Sequence, residues 1–263
     1  MTRLGILGDT HGNAGVVIHA LEKFSNQGIT KILQVGDFGF WPGHRGRLFL
    51  ATMNNVLRKR GQTLYVTPGN HEDYTFLKTL PVREDGWAEA KSHILVAPRG
   101  LRWEWEGVSF VSLGGAPSVD RGWRVDAMRK NDFPIWWEEE DITPGDILKT
   151  VQGGPADVMV AHDAPFGVPQ IEKRIAGNPN GFRPEDLAYA YLGRNKMSHV
   201  VDIVRPKVFL HGHYHFMVDD QLEIFNENTG QEDVVRIVGM NADGNPGTSG
   251  TLSLPDLSVE FWR

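Results

Sequence analysis

The chain has no cysteine. That excludes disulfides and thiolate metal sites, and it points to a reducing, cytoplasmic setting. Any bound metal must use His, Asp, Glu or Asn. Long apolar runs are missing too. No segment approaches the roughly 20 residues that cross a bilayer, so no membrane partner is expected. Met1 to Asp9 leads straight into a strand-like pattern, without the apolar run and small-residue cleavage site of a secretory leader, so none is expected. The third lack is positive charge. Lys and Arg number 27 against 33 Asp and Glu, a formal net charge of −6. Long duplex nucleic acid is bound by broad phosphate neutralisation, which needs a basic surface, so it is not an expected partner. There is no internal repeat, no low-complexity tract and no clear linker. The 263 residues read as a single domain, 1–263, large enough to bury a substantial core.

What is present is an alternation of short apolar runs and helical periodicities. Arg3 to Gly8, Lys31 to Val35 and Thr63 to Val66 read as strands. Between them, Asn13 to Gln27 places Val17, Ala20, Leu21 and Phe24 at helical spacing, and Gly46 to Arg60 fits a helix ended by Gly61. This order predicts right-handed crossovers and a largely parallel sheet. Leu101 to Trp105 and Val108 to Leu113 read as a hairpin around Glu106-Gly107. Gly114 to Gly145 reads as irregular. Asp157 to Ala161 and Val208 to Leu210 are further strands, separated by a polar, helix-containing stretch. Leu222 to Phe225, Val234 to Val238, Thr251 to Leu254 and Ser258 to Trp262 complete the series. The expected fold class is α/β: two packed sheets with helices outside.

Five polar clusters each follow an apolar strand: Gly8-Asp9-Thr10-His11-Gly12, Gly36-Asp37-Phe38-Gly39, Gly69-Asn70-His71-Glu72, His162-Asp163 and Gly212-His213-Tyr214-His215. Ligands of open α/β sheets bind beyond the carboxyl ends of strands, which is where all five fall. Imidazole, carboxylate and amide oxygen together suit Mn, Fe, Zn, Co or Ni. Asp9 and His11, and likewise His213 and His215, share a period-two spacing that points both side chains one way on extended backbone. Asp37 can join two cations through its two oxygens. One such cluster alone is an ordinary turn. Five in series are hard to explain as five separate turns. Two bound cations would make the site locally positive inside an acidic chain.

The series GDTHG, GDFG, GNHE, AHDAP and HGHYH resembles the calcineurin-like metallophosphoesterase superfamily, with all five motifs in the family's order over residues 8 to 215. The resemblance implies a four-layer α/β/β/α sandwich of two mixed sheets flanked by helices, carrying a dinuclear site. Asp9, His11 and His215 would bind one divalent ion, and Asn70, His162 and His213 the other. Asp37 would bridge them. Manganese is the leading expectation for both ions. A hydroxide bridging the ions would attack phosphorus in line, and His71, next to Asn70, would be the general acid for the leaving group.

The protein Ser/Thr phosphatase branch carries Asp-Arg-Gly after its second motif, whereas this chain has Gly36-Asp37-Phe38-Gly39-Phe40-Trp41. The His213-Tyr214-His215 ending resembles phosphodiesterase branches better. Gly114 to Asp120, Arg124 and Trp136-Trp137-Glu138 are similar to bacterial and mycobacteriophage phosphodiesterases. The expected activity is hydrolysis of small phosphodiesters, 2′,3′-cyclic nucleotides among them. The alternatives are a phosphomonoesterase or protein phosphatase, a nuclease on short single strands, or a scaffold without chemistry; the last is disfavoured because no ligand position is missing. Phe38, Phe40, Trp41, Trp136 and Trp137 are expected to form an aromatic wall for a nucleobase, and Arg121 and Arg124 to pair with phosphate. His19, His93 and His199 carry no expected role, and His44 and Asp163 have none assigned.

Overall fold

Leu4 and Ile6 are fully buried and point one way from their strand, while Gly5 between them faces the ring of Phe24 on the other side. This alternation, repeated in strand after strand, builds the layers. The computed structural model describes residues 2–131, 133–226 and 230–262.

The first half runs β1 (Thr2–Leu7), α1 (Ala14–Asn26), β2 (Lys31–Gln34), α2 (Gly43–Arg60), β3 (Thr63–Val66), a single helical turn α3 (Tyr74–Leu77), β4 (Ala88–Lys91) and β5 (Ile94–Val96). A hairpin follows, β6 (Arg102–Trp105) and β7 (Val108–Leu113), then α4 (Arg121–Asn131), α5 (Pro144–Val151) and β8 (Val158–Ala161). The remainder is α6 (Pro169–Ile175), α7 (Pro184–Val204), β9 (Val208–His211), β10 (Val218–Asn226), β11 (Gln231–Gly239), β12 (Ser249–Leu254) and β13 (Val259–Trp262). Local chemistry sets the helix ends. Asn13 caps α1 by accepting from Val16 N, Thr143 and Asp146 form a capping box on α5, and Gly61 closes α2 at φ 65°.

Two mixed sheets result. The seven-stranded sheet has the order β13-β12-β1-β2-β3-β5-β4, and the six-stranded sheet β10-β11-β9-β8-β7-β6. In the first, β1, β2, β3 and β5 are parallel; in the second, β7, β8, β9 and β11 are. Antiparallel strands lie only towards the edges. Leu4, Ile6, Leu33 and Val35 pack against Phe110, Val158, Val160, Val208 and Leu210 between the sheets. Val17, Leu21, Phe24, Phe49, Met53 and Leu57 of α1 and α2 cover the outside of the first sheet, while Met197, Val200, Val201 and Val204 of α7 cover the second. This is the expected α/β class, two mixed sheets flanked by helices. Among the described residues no helix is long and apolar enough to cross a membrane.

Three local readings are corrected. The stretch read as irregular contains α4, and β4 and β5 extend the first sheet where no strand was expected. Strands β10 and β11 run well past their apolar centres, because nine pairs of residues stay in register between them.

Candidate metal centre

The parallel strands of both sheets end on one side, and the five polar clusters meet there. Glu72 does much of the shaping. Its buried carboxylate accepts from the backbone N–H groups of Phe38 (2.7 Å), Gly39 (3.3 Å) and Phe40 (2.8 Å), folding the second cluster back under the third. The backbone N–H groups of Thr10 and His11 donate to the carbonyl of Asp37 at 3.1 and 2.8 Å, tying the first cluster to the second. Glycine is required where backbone meets side chain. A Cβ at Gly36 would lie 2.1 Å from His162 Nδ1, one at Gly69 2.2 Å from Asp37 Oδ1, and one at Gly212 2.1 Å from Asp9 Oδ1. His11, Asp37, His213 and His215 hold positive φ of 43°, 54°, 69° and 56°, left-handed conformations that bulky residues adopt at a cost.

All seven candidate ligands are brought together. Ligand atoms of Asp9, His11, Asp37 and His215 lie within 4.8 Å of one another. Asp37 Oδ2 stands 3.5 Å from His11 Nε2 and 3.4 Å from His162 Nε2, so one oxygen faces both groups rather than the two expected, and Oδ1 accepts from the backbone N–H of His71 at 2.9 Å. His162 Nε2 lies 3.0 Å from Asn70 Oδ1, its ring centroid is 5.1 Å from that of His213, and its Nδ1 is 2.8 Å from the Val35 carbonyl. His215 Nε2 is 3.3 Å from Asp9 Oδ2, which also accepts from the backbone N–H of His213 at 2.9 Å.

These residues fit divalent ions. Two ligand atoms each about 2.1 Å from one ion lie roughly 3–3.5 Å apart, which is the spacing of the His–Asp pairs and is long for a good hydrogen bond. Asp9 Oδ1 and Asp37 Oδ2 are buried and have no hydrogen-bond partner among the described residues. An orphaned carboxylate oxygen inside a protein is costly unless a cation meets it. Charge within the site is strongly coupled. Burial works against the charged form of Asp37, but His162, His71 and His11 outweigh it and hold the carboxyl well below its usual range. Burial pushes Asp9 up. Burial lowers His11 and His162, yet Asp37 and Asp9 beside them win, raising them to about 9 and about 10.

Supporting residues given no role from the sequence come from the ends of other parallel strands. Asp243, beyond β11, places Oδ1 3.1 Å from His11 Nδ1, which turns Nε2 towards Asp37. Beyond β7, Ser118 Oγ accepts from Asn70 Nδ2 at 2.8 Å and donates to Glu140 Oε2 at 2.6 Å. With its amide nitrogen so held, Asn70 presents Oδ1 to the site. The signal that both residues carry is position, shortly after an apolar strand. Asp163, unassigned in sequence, accepts from the Tyr214 hydroxyl at 2.8 Å.

The expected substrate-binding residues are redistributed. Phe38 and Phe40 are fully buried in the core under α2 and form no wall. Trp136 donates to Glu140 Oε1 at 2.8 Å. Trp41 and Trp137 do line a cleft beside His71, joined by Trp123 and Phe133. Arg124, 3% exposed, bonds Asp120 Oδ1 at 2.7 Å and contacts the ring of His71. Arg121 lies over the rings of Trp136 (5.1 Å) and Tyr189 (4.6 Å). Arg124 can only donate, so the imidazole nitrogen facing it accepts and His71 is neutral here. Desolvation, with Arg124 and His11, outweighs Asp37 and pushes His71 down to about 4.

Comparison with known proteins agrees with this geometry. The family model of calcineurin-like phosphoesterases matches residues 2–217. One solved structure, 12% identical over 99% of this chain and 98% of its own, superposes with a TM-score of 0.53. A dimetal phosphatase from Danio rerio is 13% identical over 99% of this chain and 96% of its own, with a TM-score of 0.49. An archaeal phosphodiesterase is 12% identical over 99% and 98%, with a TM-score of 0.44. At such identity the first of these bears on fold alone, and the other two carry no argument. No curated protein matches. The family match covers every strand-end cluster that converges on the buried oxygens of Asp9 and Asp37, and this chain, a metal-dependent phosphoester hydrolase, belongs to the calcineurin-like phosphoesterase family.

Proposed function

We propose that the chain is a phosphodiesterase for small phosphodiesters, including 2′,3′-cyclic nucleotides, acting as one domain with two divalent ions, Mn²⁺ foremost. Asp9, His11 and His215 hold one ion, Asn70, His162 and His213 the other, and Asp37 serves both. Asp37 Oδ2 carries this reading: it is buried, has no hydrogen-bond partner among the described residues, and faces imidazoles of both groups. Bound ions supply Lewis-acid charge for the phosphoryl oxygens and a lowered pKa for water.

The protein's own groups do the rest. Asp243 and Ser118 fix the faces that His11 and Asn70 present. His71 stands at the mouth of the site, with Nε2 3.8 Å from Asp37 Oδ2, in place to hand a proton to the leaving oxygen. Substrate phosphate bound in the site adds negative charge beside His71, which favours its protonated form. Diester preference follows from the scarcity of free cations. The chain lacks the Asp-Arg-Gly that follows the second motif in the protein-phosphatase branch, Phe38 is buried in the core, and Arg124 is already paired with Asp120. A singly charged diester suits such a site better than a doubly charged monoester.

A panel with Mn²⁺ tests this: cyclic 2′,3′- and 3′,5′-nucleotides, a dinucleotide, a phosphopeptide, and chromogenic mono- and diesters. The expected result is faster turnover of diesters, abolished by chelator. Faster turnover of the monoester or the phosphopeptide would refute it.

A further inference from the structure

A cleft of about 380 Å³ opens beside the candidate metal centre, at the low end of small-ligand pockets. His71 and Arg124 line it and also face Asp37 or its neighbours, so the cleft is continuous with the site. The rest of its lining is mainly apolar and aromatic: Trp41, Trp123, Phe133, Ile135 and Trp137. Trp123 is 61% exposed and Phe133 50%, large rings left facing water within a concavity. Apolar surface of this kind marks a place where a ligand is received.

Two of the rings are held in place. Trp41 packs against the first motif so closely that a Cβ on Gly12 would lie 3.0 Å from its ring, and Arg45 stacks on it at 5.0 Å. Trp137 is pinned through Nε1 to Thr75 Oγ1 at 3.1 Å. A rigid aromatic surface in register with a phosphate site costs little to order on binding. It suits a flat ring attached to the phosphate rather than a flexible alkyl group.

We infer that this cleft is the subsite for the nucleobase of the diester, with Trp123 and Phe133 as its stacking platform and Trp41 and Trp137 as fixed walls. The inference rests on the phosphodiesterase reading above and adds to it a class of substrate: esters of nucleosides over esters of plain sugars or alkyl alcohols. It also sets the kind of selectivity. Stacking is tolerant of base identity, because every base has a π face. Among the described residues the lining holds no Asn or Gln to read a base edge, Arg45 is stacked on Trp41, and the carboxylate of Asp120 is paired with Arg124. The subsite therefore distinguishes base from no base, and hardly one base from another.

The test compares the four nucleoside 2′,3′-cyclic phosphates with ribose 2′,3′-cyclic phosphate on Mn²⁺-loaded protein. The wild type should prefer every nucleotide over the abasic ester by tenfold or more, on the order expected for one stacked base. Trp123→Ala with Phe133→Ala should bring that preference down about tenfold, through KM, and Trp123→Phe should restore most of it. Both rings are exposed, so the variants should fold. A preference that survives the double substitution overturns the inference while leaving the diesterase reading intact. Should no diester be turned over at all, that reading fails, and binding decides the subsite separately. AMP should quench tryptophan fluorescence of the metal-free protein where ribose 5-phosphate does not, and equal quenching by the two overturns it.

Discussion

His71 and Gly36 illustrate how single positions act in this centre. If His71 protonates the leaving oxygen, His71→Ala should slow esters of poor leaving groups by about 10²-fold or more, and esters of nitrophenol much less. Equal losses across a leaving-group series would remove it from proton transfer. Gly36 has φ 108°, and an added Cβ would meet His162 Nδ1. Gly36→Ala should therefore cost about 1–3 kcal/mol of stability and displace His162; urea unfolding that matches wild type would contradict the close approach. Asp243 acts at one remove. Asp243→Asn keeps a residue tolerated at φ 55° and keeps the shape, but removes the charge opposite His11. Metal affinity should fall about 10-fold, as for other groups that orient a liganding histidine, and calorimetric Mn²⁺ titration would reveal it. Unchanged affinity would make the contact incidental.

Between elements, the clearest electrostatic clamp lies at the opposite end of the second sheet. Asp157, just before β8, accepts from Ser109 N (2.9 Å) and Oγ (2.7 Å) on β7 and pairs with Lys207 ahead of β9 at 2.8 Å. Burial opposes the charge, but Lys207 and Ser109 prevail and lower Asp157 to about 2 from a usual 3.8. A depressed acid stabilises the fold above its unfolded pKa, and the contribution fades as pH falls from 3.8 towards 2. Asp157→Asn should be less stable than wild type by the same margin at pH 7 and pH 5, with a smaller margin at pH 3. A margin that widens in acid would reverse the sign. Legibility also varied by element. β1, β2, β8 and β9 each carry a short apolar run buried on both faces, and β3 alternates buried with half-buried residues, so their patterns announce them. Strand β4 is Ala-Glu-Ala-Lys, poor in β-branched residues, and forms because β5 beside it offers hydrogen bonds. Helix α4, with Gly122, Trp123 and four basic residues, lacks a strong apolar stripe and was hidden for that reason.

For the whole molecule, the buried charges of the centre make stability depend on metal. Ions that bind only the folded state add about 2.7 kcal/mol each at 100 times their dissociation constant. For a chain of this size that is roughly 5–10 °C in Tm per ion. Thermal unfolding in Mn²⁺ should therefore lie well above that in chelator, and identical melting would sink the ligand assignment. The metal-ligand candidates were legible because each lies within a few residues of a strand end, in clusters punctuated by glycine. Spacing along the chain is enough to display such clusters, and residue type is enough to suggest their chemistry. Short-range periodicity was enough to read the central parallel strands and two packed sheets with helices outside, residue type at the strand ends suggested the candidate ligands, and the family resemblance implied the four-layer order. Only the tertiary structure decided that Phe38 and Phe40 belong to the core while Trp123 and Phe133 face the cleft, and that Asp243 supports His11 from 232 residues away. Burial and partnership are properties of long-range packing, and a residue's local pattern is the same whichever of those surroundings it ends in.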